Sequence, residues 1–538
     1  MRSFALALLL SLLSSGVTGA MATAQQRAPS DYRQSAAVLT HYPPVADVRL
    51  DSPAFRTSEP ALTSQEAMAD FLAALVRESR QARLGSLGRS PQGRDIPVLY
   101  LTSEGLNDPA AIRALGRPVV WLIGQQHGNE PAGGEAMLAL ASALARGELA
   151  PLLAKVSVVI VPRANVDGAA ADRRVVASGA DPNRDHLLLS QPETRAIHQA
   201  MRALPPDVVF DHHEFSVAWR WVEKFGGLQA SDVMILEATN PVIPKALTDI
   251  ERELYRPALE KAIKAHGLAP HDYVTTGADV SDKRVSLGGS GADIARNTFG
   301  LRGSVSYLIE TRGVGIGLQG YQRRVATHYL LAKAVLEVTA ADPQGLLKRL
   351  DDARRAAAVD RSDLIVSHKE GERDIELPLV DPQSGAPRPT AVRLVDSRDI
   401  RPVDVRPRPT GYVVTRNMDD VAERLSLNQV QYCRVVSTRA TPVEAYEVSR
   451  LAGRTNRESI NPEQTVRVRL QGKTLDVPAG ALYVPMAQSA AGIVAAALEP
   501  DSAASYVGAG VIVLNAGETE APVYRVMPGD RAPLCVLP

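Results

Sequence analysis

The chain has 538 residues, 45% of them hydrophobic, and its 60 basic and 60 acidic side chains leave a formal net charge of zero. That length favours more than one domain, and the apolar content is enough to fill a core. The charges are interspersed, which excludes a nucleic-acid-binding stripe and a polybasic membrane patch. No internal repeat and no long low-complexity tract occurs.

Residues 1–24 read as a secretory signal peptide: Arg2 precedes the apolar run Phe4 to Leu13, and Ala22-Thr23-Ala24 is an A-x-A cleavage pattern. No later stretch is long and apolar enough to span a bilayer, so no membrane anchor is expected after cleavage. The expected location is the periplasm or the exterior. In such an oxidising compartment Cys433 and Cys535 either form a disulfide or remain two buried thiols.

Thr63 to Glu66 forms a capping box, and Met68, Phe71, Leu72, Leu75 and Val76 then share one helix face. Gly88, Ser90, Pro91 and Gly93 mark a turn, followed by a strand over Ile96 to Leu101. The wholly apolar runs Val119 to Ile123 and Val156 to Val161 are strands of the kind buried on both faces. Between them GQQHGNEPAGGE (Gly124 to Glu135) leads into a helix that ends near Gly147. Ser190 to Glu193 is a second capping box, opening a helix that ends near Leu204. Val208 to Phe210 and Val305 to Ile309 are further strands, ending in Asp211-His212-His213-Glu214 and Glu310-Thr311-Arg312-Gly313. Strands alternating with helices predict an α/β fold with a mixed, largely parallel twisted sheet flanked by helices.

From residue 346 the texture changes. A charged helix over Leu346 to Ala358 precedes the Pro- and Arg-rich RPVDVRPRPTGYVV, a strand over Tyr412 to Thr415, a short helix over Asp419 to Leu425 and an alternating strand over Val466 to Leu470. The expected division is therefore a domain over 25–345 and a smaller, mixed β-rich C-terminal domain over 346–538. The latter carries no metal-binding or nucleophile spacing and reads as a structural cap.

His127 and Glu130, three apart in a tight loop after a strand, can converge on one zinc ion. His213 and Glu310 also sit at or just past strand C-termini. In open α/β sheets ligands bind outside that edge, so the three positions point to a single site.

The motifs H127-x-x-E130, NVDG (Asn165 to Gly168), an arginine six residues on, DPNRDH (Asp181 to His186), DHHEF (Asp211 to Phe215) and ETRG (Glu310 to Gly313), in that order, resemble the zinc carboxypeptidases of the carboxypeptidase A type. The preceding GRSPQGRDI resembles the turn and strand that open their catalytic domain. The resemblance covers about residues 60 to 340. It implies a zinc exopeptidase acting on peptides with a free C-terminal carboxylate, which the leader read over residues 1–24 would export. His127, Glu130 and His213 would be the ligands of one zinc per chain, and Glu310 the general base. Arg174 would stabilise the oxyanion, Asn183 and Arg184 would hold the terminal carboxylate, and Asp181 would fix the tautomer of His127.

His212 competes with His213 as ligand, although strand alternation sends neighbours to opposite faces. Arg173 competes with Arg174, and only the spacing to NVDG favours Arg174. Arg163 reads as a structural salt bridge or surface charge. Members of the family carry a tyrosine shortly before a Gly-Gly-Ser segment, where Gly288-Gly289-Ser290 here follows KRVSL with Arg284 near the expected place. The specificity segment then offers both Asp293 and Arg296, so the preferred side chain stays open. Phe215, Trp219, Trp221 and Phe225 read as core rather than cleft. Two other readings remain: a deacylase of N-acyl amino acids with the same zinc set, and an inactive peptide- or cell-wall-binding protein on the same scaffold.

Overall fold

The apolar runs named above become the middle of an eight-stranded mixed sheet in the computed structural model, which describes residues 31–57, 59–454, 463–529 and 534–535. The signal peptide read over 1–24 lies outside the described residues. The strands are β1 (Ala82–Arg89), β2 (Asp95–Leu101), β3 (Val119–Gly124), β4 (Ser157–Val161), β5 (Val208–Ser216), β6 (Leu228–Gln229), β7 (Val233–Glu237), β8 (Pro270–Asp272), β9 (Arg284–Ser286) and β10 (Val305–Val314). The large sheet runs β1-β2-β4-β3-β5-β10-β7-β8, with parallel pairing throughout its centre from β4 to β10. Every residue of β3, β4, β5 up to Phe215, and β7 is buried, as expected for strands covered on both faces.

Ser64 caps the helix Gln65–Glu78 by accepting from the Ala67 N–H at 3.1 Å. The helix Pro131–Arg146 and the long helix Tyr321–Ala341 pack on one face of the sheet, where Leu140, Leu144, Val325 and Leu336 join the main core. Neither capping box forms as expected: the first cap is Ser64 and not Thr63, whose Oγ1 donates to Glu135 at 2.6 Å, and at the second Ser190 caps nothing. Ser190 Oγ donates to Asp185 at 2.5 Å, and the same carboxylate accepts the backbone N–H groups of Ser190 and Gln191, each at 2.8 Å. The buried Asp185 carboxylate thus takes up the hydroxyl and holds the two residues that lead into the helix Pro192–Ala203, whose N-cap Gln191 makes no side-chain capping bond.

The later residues build two more sheets from β11 (Leu364–Val380), β12 (Pro387–Arg406), β13 (Gly411–Val414), β14 (Cys433–Arg434), β15 (Arg439–Arg454), β16 (Glu463–Val477), β17 (Leu482–Pro485) and β18 (Glu520–Val526). A four-stranded sheet, β6-β11-β12-β9, draws two short strands from before residue 345 and the long β11–β12 hairpin from after it. The other sheet, β14-β17-β13-β18-β15-β16, belongs wholly to the C-terminal part. Cys433 and Cys535 are disulfide-bonded, with Cα atoms 6.0 Å apart. Among the described residues no helix is long and apolar enough to cross a membrane.

Candidate metal centre

The loop after β3 turns sharply at Gln125, whose φ is 50°. It is pressed against the NVDG loop so closely that a Cβ on Gly128 would fall 2.0 Å from the carbonyl carbon of Gly168. Both loops are braced from behind. Arg163, buried, donates to Gln125 Oε1 at 2.7 Å and to the Thr63 carbonyl at 2.7 Å, so it ties the loop to the helix entry and is neither the salt bridge nor the surface charge expected of it. Asp167 accepts from Ser90 Oγ and Arg94 at 2.7 Å each, which gives GRSPQGR and NVDG a shared structural role. Asn165 caps its own short helix through the Gly168 N–H and donates to the Arg174 carbonyl at 3.2 Å, so the motif also places Arg174.

This bracing brings His127 and Glu130 up to His213 on β5. His127 Nδ1 lies 2.9 Å from Glu130 Oε1, His213 Nδ1 lies 2.8 Å from Glu130 Oε2, and the two Nδ1 atoms are 3.0 Å apart. All three side chains are buried. Each imidazole has its other nitrogen on a carboxylate: His127 Nε2 on Asp181 at 3.0 Å and His213 Nε2 on Asp211 at 2.7 Å. A proton on each Nε2 serves those contacts and leaves the Nδ1 lone pairs facing a carboxylate and each other. Two imidazole acceptors and a carboxylate converging in a buried space fit a divalent cation, and the two-nitrogen, one-carboxylate donor set suits zinc.

The buried acids and imidazoles act strongly on one another. Burial pushes the Glu130 carboxyl up, but His127 and His213 outweigh it and leave it below the ordinary range. Burial lowers His213, yet Asp211 and then Glu130 raise it well above the ordinary imidazole value. Glu310 stands across from His213 and is also buried; burial first, and then the charge of Glu130, raise its carboxyl to about 8.

The remaining sequence candidates take distinct places. Arg174 reaches the ligand set with Nη1 3.0 Å from His127 Nδ1 and 3.3 Å from Glu130, while its Nη2 donates to Asp181 at 2.8 Å. Arg173 is exposed. Asn183 accepts from the Ala295 N–H at 2.9 Å and holds its Nδ2 3.4 Å from His213 Nε2, and Arg184 donates to the Asn183 carbonyl at 2.8 Å. His212 faces the opposite side of β5, with Nδ1 3.0 Å from His328 Nδ1. Phe215, Trp221 and Phe225 sit in a hydrophobic cluster, whereas Trp219 is partly exposed, its ring centroid 6.0 Å from that of Tyr32 in a T-shaped pair.

Two residues at the site escaped the sequence. Asp211 was legible in principle, because D-x-H on a strand puts both side chains on one face. Tyr273, just past β8, gave no spacing signal: it precedes Gly288 by fifteen positions, yet its ring lies against that glycine, and Glu310, Arg174, Arg184 and Arg296 all act on its hydroxyl.

A family model described as zinc carboxypeptidase matches residues 68–331. Carboxypeptidase 2 of Trichophyton rubrum is 29% identical over 522 residues, covering 92% of this chain and 94% of its own. The probable carboxypeptidase 2 of Arthroderma benhamiae is 30% identical over 519 residues, covering 91% of this chain and 96% of its own. Among solved structures, a metallo-carboxypeptidase from Burkholderia cenocepacia overlaps 51% of this chain and 69% of its own at 21% identity, with a TM-score of 0.39. Likeness over nearly the whole of both chains, joined to the match of the family model, means that the chain belongs to the zinc carboxypeptidase family and is a zinc metallocarboxypeptidase.

Proposed function

We propose that this peptidase removes residues one at a time from the C-termini of peptides, using a single zinc ion per chain held by His127, Glu130 and His213. The observation that carries the reading is the convergence of the His127 and His213 Nδ1 atoms on the Glu130 carboxylate, within 3.0 Å of one another, with Glu310 opposite His213. When bound, zinc supplies Lewis-acid chemistry, making water acidic near pH 7 and a carbonyl electrophilic.

The chain's own residues do the rest. Asp181 and Asp211 keep the histidine protons on Nε2, so both Nδ1 lone pairs point inward. Glu310 takes a proton from the attacking water and returns it to the leaving amine. Arg174 donates to the oxygen that gains charge as the carbonyl is attacked. Asn183 and Arg184 hold the carboxylate of the chain end, which excludes internal peptide bonds. His212, turned to the other face, serves packing.

Residues 25–345 act as the catalytic domain and 346–538 as a second domain, with the leader over 1–24 directing export. The Cys433–Cys535 disulfide supports an oxidising destination. Elemental analysis of purified protein tests the metal assignment: about one zinc per chain in the wild type, largely lost in His213→Ala, is expected. Absence of zinc after reconstitution would contradict it.

A further inference from the structure

Arg296 opens the helix Ala295–Leu301, directly after the Gly288–Gly291 segment, and is buried to 2% exposure. A buried guanidinium ordinarily has a carboxylate partner, because leaving its charge uncompensated away from water is expensive. Arg296 has none within ion-pair reach among the described residues. Its one hydrogen bond runs from Nη2 to the Gly289 carbonyl at 2.5 Å, and its Nε has no partner at all. Burial pulls its pKa down to about 10, which still leaves it charged at neutral pH.

The surroundings connect this cation to the metal centre. Tyr273, Arg184, Glu237, Glu310 and Glu370 are among the ionisable groups that act on it, none of the carboxylates lying within ion-pair reach. Gly288, at φ +87°, has Arg296 and the Tyr273 ring as its neighbours: a Cβ there would lie 3.2 Å from Arg296 Nη2 and 3.0 Å from the ring. Asp293, the opposite charge in the same segment, turns its carboxylate onto its own loop, where Oδ1 would lie 2.4 Å from a Cβ on Gly291. Arg302 is also buried with partnerless nitrogens, but no charged group of the site acts on it, and its guanidinium lies 5.8 Å from the Phe299 ring centroid.

We propose that Arg296 determines specificity by pairing with an acidic side chain on the residue being released, so that the preferred substrates are peptides ending in glutamate or aspartate. The inference rests on the C-terminal exopeptidase reading. An incoming carboxylate completes the hydrogen bonds that Arg296 lacks, whereas a lysine or arginine side chain meets a like charge in a buried space, and a leucine leaves the guanidinium unpaired.

The test uses four peptides identical except for a C-terminal Glu, Gln, Leu or Lys, with the released residue quantified for wild type, Arg296→Met and Arg296→Lys. Wild type should favour Glu over its neutral isostere Gln by about tenfold to a thousandfold in kcat/KM. Arg296→Met should bring that ratio close to one, and Arg296→Lys should restore part of it. A wild-type ratio near one overturns the proposal without recourse to any variant, and so does an unchanged ratio in Arg296→Met. If wild type released no C-terminal residue from any of the four peptides, the exopeptidase reading itself would fall, and the specificity assignment with it.

Discussion

Glu310 on β10 and His213 on β5 are register partners across a parallel strand pair. Because paired residues on adjacent strands point to the same face, the backbone ladder itself sets the distance between Glu310 and His213, and no loop has to order for them to meet. Replacing Glu310 by Gln keeps the shape and removes the proposed base. Glu310→Gln should therefore retain zinc while losing about 10²- to 10⁴-fold in kcat. Near-normal turnover with zinc in place would remove Glu310 from the chemistry.

Asp211 accepts from Gln126 Nε2 and faces His213 Nε2, each at 2.7 Å, so it both orients the imidazole and raises its basicity. Asp211→Asn should weaken zinc binding by about 10- to 100-fold, read by competition with a chromophoric chelator. An unchanged zinc affinity would reduce the carboxylate to a packing role.

Glu251 lies far from this chemistry. It is fully buried, with Oε1 accepting from the Ser306 N–H at 2.8 Å and Oε2 without a partner. Burial, reinforced by Glu237, raises its carboxyl well above the ordinary value of 4.5. The folded state therefore holds a proton that the unfolded chain gives up above that value. The stability Glu251 contributes is fully present below about pH 4.5 and is lost as pH rises toward the folded pKa, at about 1.4 kcal/mol per pH unit. Glu251→Gln, which mimics the protonated acid, should melt higher than wild type by a margin that grows from pH 4.5 to pH 7. A margin independent of pH would contradict this.

Much of the centre was legible because its residues sit beside strong local signals. Val119 to Ile123 and Val156 to Val161 can only be buried strands, and His127, Glu130, His213 and Glu310 sit at or beyond the ends of such runs. What stayed hidden depends on contacts distant in sequence. β1 reads ARLGSLGR, with two glycines and little alternation, and is a strand because β2 pairs with it. Ser190 Oγ donates to Asp185 instead of capping a helix, and no local pattern announces the burial of that carboxylate. Tyr273 reaches Gly288 because β8 joins the large sheet beside β7, while β9, leading into that glycine, pairs with β12 from more than a hundred residues later.

The proposed chain-end clamp of Asn183 and Arg184 is what would separate an exopeptidase from other uses of the same metal centre. The measurement is the rate at which wild type cleaves one peptide presented with a free C-terminus and again with that C-terminus amidated. Release of the last residue from the free peptide, with the amidated one cleaved about tens- to thousands-fold more slowly, is the predicted result. Equal cleavage of the two would contradict it.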